Sequence, residues 1–250
     1  MRDAGRFLRI GHRGAAGLEP ENTLRSINRA IALGVEMVEI DVRACADGYL
    51  MVAHDDELAS AQGERFRVST SSVAALRRFD MGKGERLLRV DEALEAIRGR
   101  ARVNLDLKVE GHAGALLELV RGAGMVDDTI VTGDAVTSFG YLKAAEPHLW
   151  LGLSISAGRC AAARAALEER APQRARERAA VLAARAASVR AEALMLEYTQ
   201  ISAALVRALH ARQVRVYVWT VDSGRQMVRL KAQGVDGVTS NRVDLLMRLV

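Results

Sequence analysis

The feature that most constrains the fold is a regular alternation of short β-rich apolar runs with segments of helical spacing along the 250 residues. Such alternation is typical of a parallel sheet whose strands are joined by crossover helices. The length favours an eight-stranded (β/α) barrel of the TIM type, and a doubly wound open sheet is the alternative. The apolar runs are Phe7–Gly11, Met37–Val42, Tyr49–Ala53, Val103–Leu107, Thr129–Thr132, Leu149–Ser154, Ala193–Glu197, Val214–Thr220 and Val235–Thr239.

Nine runs are one more than a barrel of eight strands needs, and the turn after the second run accounts for the excess. Between Val42 and Tyr49 there is no room for a crossover helix, and Asp47-Gly48 is a strong hairpin signal. We therefore expect the third run to fold back antiparallel on the second. A turn centred near Ala46–Asp47 would bring His54 beside Ile40 and Asp41.

Composition and charge indicate one folded domain over residues 1–250. Half of the residues are apolar, 27% are charged and three are proline, which excludes a mostly disordered or collagen-like chain. The net charge of +5 is concentrated in residues 157–192, which hold eight arginines and four glutamates. We expect this alanine-rich segment to form a largely solvent-facing helical insert. The glutamates and the lack of aromatic residues favour a solvated face over a nucleic-acid-binding arm.

The chain carries no apolar stretch long enough for a membrane span, and Met1–Ile10 contains no apolar block of the signal-peptide type. We therefore expect a cytoplasmic protein. Cys45 and Cys160 are far apart, with no Cys/His cluster nearby, so we expect buried thiols rather than a zinc site or a disulfide framework.

Candidate functional residues lie where the predicted strands end, which in a barrel is the face that carries active sites. The first strand ends in His12-Arg13 between two glycines, and arginine can bind a phosphate through two hydrogen bonds. On the second strand, Glu39 and Asp41 point to the same side. Two buried carboxylates need a cation or a proton, and oxygen ligands favour Mg²⁺ or Ca²⁺. The alternative is that one carboxylate pairs with an arginine and the other faces solvent.

The strand Val103–Leu107 and the tryptophan of the late strand add further candidates. Asn104, Asp106 and Lys108 share one face, so that Asp106 is a candidate third ligand and Lys108 either contacts an anionic substrate or pairs with Asp106. Trp219 at a strand end can form a wall against a substrate, although core packing would also explain it.

Together these motifs resemble the glycerophosphodiester phosphodiesterase family. The resemblance rests on the order of His12-Arg13-Gly14, Pro20-Glu21-Asn22-Thr23, Glu39-Ile40-Asp41-Val42 and Asp47-Gly48 before His54-Asp55. It continues through Asn104-Leu105-Asp106-Leu107-Lys108, Trp219-Thr220-Val221-Asp222 and Gly234–Thr239, and only the helical insert lies outside it.

The resemblance implies a distorted barrel that hydrolyses a small anionic phosphodiester with one divalent cation, Mg²⁺, Ca²⁺ or Mn²⁺. It implies that Glu39 and Asp41 bind the metal, that His12 and His54 form the acid–base pair, and that Arg13 and Lys108 bind phosphate. We interpret Asn22 as a helix-capping residue.

Two positions depart from the family pattern. The third metal ligand of the family is usually glutamate, whereas this chain has Asp106; the related barrel phospholipases D of venom resemble this arrangement and have aspartate there. Thr239-Ser240-Asn241 replaces the usual Thr-Asp and proline, and we attach no catalytic meaning to it.

The sequence is compatible with three functions. The first is hydrolysis of glycerophosphodiesters to glycerol 3-phosphate and an alcohol, which the resemblance implies proceeds through a cyclic phosphate, with His12 as the base and His54 as the acid. The second is the same chemistry on a lysophospholipid, as in a lysophospholipase D, and the third is a barrel that binds a phosphate ligand without catalysis.

Overall fold

A computed structural model of the chain describes residues 7–134, 136–158 and 160–250. Most of the Met1–Ile10 segment, together with Ala135 and the insert residue Arg159, lies outside the described residues. Within them, no helix is both long and apolar enough to cross a membrane.

Eight parallel strands close into a barrel in the order β1, β2, β6, β7, β8, β9, β10, β11 and back to β1. The strands are β1 Leu8–Gly11, β2 Met37–Ala44, β3 Leu50–Val52, β4 Glu57–Ala59, β5 Arg65–Arg67, β6 Arg102–Leu107, β7 Thr129–Gly133, β8 Trp150–Ile155, β9 Ala193–Glu197, β10 Arg215–Trp219 and β11 Gly237–Ser240. The predicted (β/α) barrel is therefore confirmed, and the alternative of an open sheet is wrong because β11 pairs with β1.

Ten α-helices accompany the strands in the described part of the chain. They are α1 Leu24–Leu33, α2 Val73–Leu76, α3 Val90–Ile97, α4 Ala113–Gly122, α5 Val136–Ala145, α6 Ala161–Arg170, α7 Pro172–Ser188, α8 Ala203–His210, α9 Gly224–Ala232 and α10 Val243–Leu249.

The predicted hairpin extension follows β2. Strand β3 pairs antiparallel with β2 in the register Val42 with Val52, and the amide of Ala53 donates to the carbonyl of Asp41 at 3.0 Å. The turn uses Gly48 at φ 78°, a left-handed conformation that glycine adopts at little cost. This register returns His54 to the carboxyl end of β2, as the sequence predicted.

The barrel interior changes from apolar to polar along the strands. Its lower part is filled by an apolar cluster of Leu8, Ile10, Met37, Ile130, Ala193, Met195 and Tyr217. Because alternate residues of a strand point to the same side, the next inward positions carry His12 above Ile10, Glu39 above Met37 and Thr132 above Ile130. The apolar cluster thus forms the floor beneath a polar cavity.

The helical pair α6–α7 lies inside the predicted insert and is largely exposed, as expected, although one side of it is buried. Ala175, Ala179, Leu182 and Ala186 of α7 are buried, since alanine allows the helix to pack closely against α8. Buried Glu168 of α6 is bonded by Arg178 and by Ser202 at the start of α8. Helix α7 therefore serves as the crossover helix between β8 and β9, and α6 is the added element.

Of the two cysteines, Cys45 is buried as expected, whereas Cys160 is exposed just before α6.

Candidate active site

A cavity of about 320 Å³ opens at the carboxyl ends of the barrel strands. All eight residues singled out in the sequence line it, namely His12, Arg13, Glu39, Asp41, His54, Asp106, Lys108 and Trp219. Its wall also includes Asn104, Thr132, Gly133, Asp134, Ser154, Ser156, Met195, Thr220 and Thr239. The fold therefore brings the predicted residues together in one site.

Three carboxylates form a cluster on the cavity wall. Register between β2 and β6 sets Asp41 beside Asp106, and Glu39 precedes Asp41 on the same face. One oxygen from each of the three lies within 4.8 Å of the others. Glu39 and Asp41 are 3% and 1% exposed, so the alternative in which one of them faces solvent is wrong.

Burial and neighbouring charges shift the pKa values of Glu39 and Asp41. Burial, together with the charges of Asp41 and Asp106, raises the pKa of Glu39 well above its ordinary value of 4.5. For Asp41 burial acts in the same direction, but Lys108, the amide of Asn22 and Arg13 outweigh it and lower the pKa. The cluster therefore favours an additional positive charge near Glu39.

Two cationic side chains border the cluster. Lys108 Nζ lies 2.6 Å from Asp106 Oδ2 and 3.1 Å from Asp41 Oδ1. Although burial opposes its charge, these carboxylates raise the pKa of Lys108 to about 12. Arg13 Nε lies 3.3 Å from Asp41 Oδ2, and its guanidinium also contacts Glu21 at 2.7 Å. Three carboxylates thus face two cations, which leaves one negative charge in excess.

Asn22 has a different role from the helix cap that the sequence suggested. The cap of α1 is Thr23, whose side chain accepts from the amide of Ser26. Asn22 is buried at φ 57° and donates from Nδ2 to Asp41 Oδ2 at 3.0 Å. The interpretation of Asn22 as the cap is therefore wrong, because the left-handed backbone at this residue turns its amide toward β2 instead of along the helix.

His12 is held by residues that the sequence analysis did not assign to the site. Its Nδ1 lies 2.7 Å from Asn241 Oδ1. Asp222 accepts from both Nδ2 and the backbone amide of Asn241, at 2.7 and 2.8 Å, which fixes the orientation of that amide. Because an amide oxygen only accepts, His12 Nδ1 must carry a hydrogen and the neutral ring has its lone pair at Nε2. Nε2 is 3.9 Å from Glu39 Oε2.

His54 has a different partner. Its Nδ1 lies 3.0 Å from Asp55 Oδ1, and the side chain is one-third exposed. Burial and the neighbouring Arg13 lower the pKa of His12. The two histidines thus differ in partner and in exposure, with His12 mostly buried beside an amide and His54 partly exposed beside a carboxylate.

The remaining walls limit what the cavity can hold. Trp219 donates from its indole nitrogen to the carbonyl of Met195 at 3.0 Å, which holds the ring at the cavity edge. Two buried polar atoms at the cavity, Arg13 Nε and Thr239 Oγ1, have no hydrogen-bond partner among the described residues. These donors and the carboxylate oxygens fit a hard divalent cation together with an oxyanion such as a phosphate.

Comparisons with known proteins identify relatives of this chain. A family model described as the glycerophosphoryl diester phosphodiesterase family matches residues 12–245. A glycerophosphodiester phosphodiesterase of Caldanaerobacter subterraneus is 28% identical, with 97% of each chain covered. A solved phosphodiesterase of Oleispira antarctica, in complex with the product sn-glycerol-3-phosphate, superposes with a TM-score of 0.80 at 24% identity and covers 97% of this chain and 96% of its own. A human lysophospholipase D is 30% identical over 45% of this chain and 40% of its own.

Proposed function

The chain belongs to the glycerophosphoryl diester phosphodiesterase family, and from that premise we propose that it hydrolyses glycerophosphodiesters to glycerol 3-phosphate and an alcohol with one bound divalent cation. The observation that carries the proposal is the meeting of two differently held histidines with a cluster of three carboxylates in one cavity. The family membership makes the chain an enzyme, and the roles of the individual residues are our assignment.

Glu39, Asp41 and Asp106 would hold the cation, whose chemistry when bound is to neutralise the phosphate and to polarise its P–O bonds. Asp106 takes part although it is one methylene shorter than the usual glutamate, since an oxygen of its carboxylate already lies within 4.8 Å of oxygens of the other two. Arg13 and Lys108 add positive charge at the same cavity, and we assign them to the phosphate oxygens.

In the first step His12 Nε2 takes the proton of the glycerol 2-hydroxyl. The hydroxyl oxygen bonds to phosphorus as the bond from phosphorus to the leaving alcohol breaks, and His54 gives that alcohol a proton. The product of this step is a cyclic phosphate. In the second step water opens the ring: His54 takes a proton from the water, and His12 gives its proton to the glycerol 2-oxygen. Both histidines thereby return to their starting protonation states.

The cavity favours a water-soluble head group over an acyl chain. The flank formed by β7 and β8 is lined by Asp134, Ser154 and Ser156, while Met195 and Trp219 are the large apolar side chains lining the described cavity. A polar head group can form hydrogen bonds with those groups, whereas an acyl chain packed against them would desolvate them without compensation. The human lysophospholipase D matches less than half of this chain, so lysophospholipid hydrolysis is the competing assay rather than the expected activity.

A substrate panel tests the proposal. Glycerophosphocholine, glycerophosphoethanolamine and lysophosphatidylcholine are supplied with Mg²⁺, Mn²⁺, Ca²⁺ or EDTA, and release of free choline or ethanolamine is measured. The phosphate product is identified as glycerol 3-phosphate for the soluble diesters or as lysophosphatidic acid for the lysolipid. We expect turnover of the soluble diesters that EDTA abolishes. Activity that survives exhaustive chelation would overturn the metal assignment, and preferential cleavage of the lysolipid would overturn the substrate class.

Variants of the two histidines test the mechanism. His12→Ala and His54→Ala should each lower kcat by at least about a hundredfold, the usual contribution of a positioned acid or base, with a smaller effect on KM. His112→Ala is the matched control, because His112 does not line the cavity. Near-normal turnover by both site variants would refute the acid–base assignment.

A further inference from the structure

The three carboxylates of the cluster are held in a common way. Each has one oxygen that accepts a hydrogen bond from a protein donor. Glu39 Oε2 accepts from the backbone amide of Arg13 at 2.8 Å, Asp41 Oδ2 accepts from Asn22 Nδ2 at 3.0 Å, and Asp106 Oδ2 accepts from Lys108 Nζ at 2.6 Å. The second oxygen of Glu39 and of Asp106 therefore remains for a cation, whereas a cation at Asp41 Oδ1 would share that oxygen with Lys108 Nζ, which lies 3.1 Å away.

Asn22 is held in place by hydrogen bonds of its own. Its Oδ1 faces the backbone amide of Asp41 at 3.4 Å, and its own amide nitrogen on the main chain donates to the carbonyl of Arg13 at 3.1 Å. Rotating the side-chain amide by half a turn would lose the bond to Asp41 Oδ2 and place two acceptors together. The buried side chain thus occupies one lone pair of Asp41 Oδ2 and opposes coordination of one ion by both oxygens of Asp41.

We propose that these donors make all three carboxylates single-oxygen ligands, so that the site selects an octahedral ion of the Mg²⁺ and Mn²⁺ type over Ca²⁺, with Asn22 as the positioning residue for Asp41. The inference rests on the metal-dependent function proposed above and adds which ion is used. Mg²⁺ requires near-octahedral geometry at short distances and keeps several waters, which three single-oxygen carboxylates allow. Ca²⁺ takes six to eight oxygens and often uses both oxygens of a carboxylate, which Asn22 opposes.

The test measures binding of the ions themselves. Mn²⁺ bound to the purified full chain is followed by electron paramagnetic resonance, and Mg²⁺ or Ca²⁺ is then titrated in as competitor. The wild-type protein should release Mn²⁺ at a lower concentration of Mg²⁺ than of Ca²⁺. Release at a lower concentration of Ca²⁺, or the absence of Mn²⁺ binding, would overturn the inference without any need for a variant.

Asn22→Gly tests the role of the side chain, because glycine accepts the left-handed backbone at φ 57° while the amide is removed. Loss of a partner that orients a metal ligand typically weakens binding by about 10- to 100-fold. We expect that loss for Mg²⁺ and a smaller one for Ca²⁺, since Asp41 can then offer both oxygens. An unchanged ratio of the two affinities would refute the positioning role. Asn28→Ala is the control, because Asn28 bonds Arg100 instead of the cluster.

Hydrolysis measured on the same samples separates the two proposals. Turnover of glycerophosphocholine with a preference for Ca²⁺ in binding would refute the ion selectivity alone. Tight and selective binding of Mn²⁺ and Mg²⁺ without hydrolysis of any glycerophosphodiester would refute the proposed function alone.

Discussion

Replacing Glu39 by glutamine should make the protein more stable without metal and unresponsive to metal. Glu39 is 3% exposed and belongs to a cluster in which three carboxylates face two cations. Glutamine keeps the shape and an oxygen for the backbone amide of Arg13 while it removes the excess charge. Relief of an uncompensated buried polar group is worth about 1–3 kcal/mol. At about 2–4 °C per kcal/mol for a chain of this size, the Tm in EDTA should rise by about 2–12 °C.

A divalent cation should make the wild-type protein more stable than Glu39→Gln. At a hundredfold excess over Kd, a ligand that binds only the native state adds about 2.7 kcal/mol, which corresponds to about 5–11 °C in Tm. The wild-type protein should gain this stabilisation. Glu39→Gln retains two of the three carboxylates and should gain much less.

The pH dependence of the unfolding free energy gives the same direction for the effect of Glu39→Gln. Since the folded-state pKa of Glu39 is raised above 4.5, the native protein holds a proton that the unfolded chain releases as pH rises. The metal-free wild type therefore loses stability as pH rises from 4.5 through the folded-state pKa, and the advantage of Glu39→Gln appears in the same interval.

Thermal melts of both proteins in EDTA and in Mg²⁺ across this range are the assay. Glu36→Gln is the control with the opposite sign, because Glu36 pairs with Arg9 and should lose stability when neutralised. A Glu39→Gln protein that is less stable than wild type in EDTA at every pH, or that gains as much from Mg²⁺, would refute the reasoning.

Three further predictions concern the histidines and the cap of α1. Asn241→Leu removes the acceptor of His12 Nδ1 and should lower kcat by at least about tenfold with little change in KM. The reason is that about 1.4 kcal/mol of stabilisation, which comes from the orientation of His12, is lost only in the transition state. An unchanged kcat in steady-state assays would contradict this. Burial and Arg13 lower the pKa of His12, so the acid limb of kcat/KM should lie below the ordinary value of 6.5, and a pH–rate profile with its limb at or above that value would argue against His12 as the base. Thr23→Ala should cost about 1 kcal/mol of unfolding free energy in denaturant titrations and leave kcat unchanged, whereas a large loss of activity would mean that Thr23 supports the site directly.

The sequence predicted the barrel from local periodicity, and it predicted most of the site from the order of motifs that resembles the family. Alternation of strand and helix along the chain indicates parallel strands, and the two-residue period of a strand sets Glu39 and Asp41 on one side. The hairpin signal at Asp47-Gly48 was sufficient to bring His54 back to Asp41. Each of these features joins residues that are close in the sequence, so the spacing of residue types predicts it without knowledge of tertiary contacts.

The roles of Asn22, Asp222 and Asn241 emerged only from the tertiary structure. Asn22 follows a proline and a glutamate in a stretch that reads as a helix start, and its turn toward Asp41 depends on a left-handed backbone that local propensity does not specify. Asn241 lies 229 positions from His12 and meets it only because β11 closes the barrel against β1. The buried side of α7 likewise depends on a neighbour, the helix α8, that alanine spacing alone does not identify. Local sequence thus determined which groups face the mouth of the barrel, whereas closure of the barrel decided which of them touch, because contacts between distant strands are set by the packing of the whole sheet.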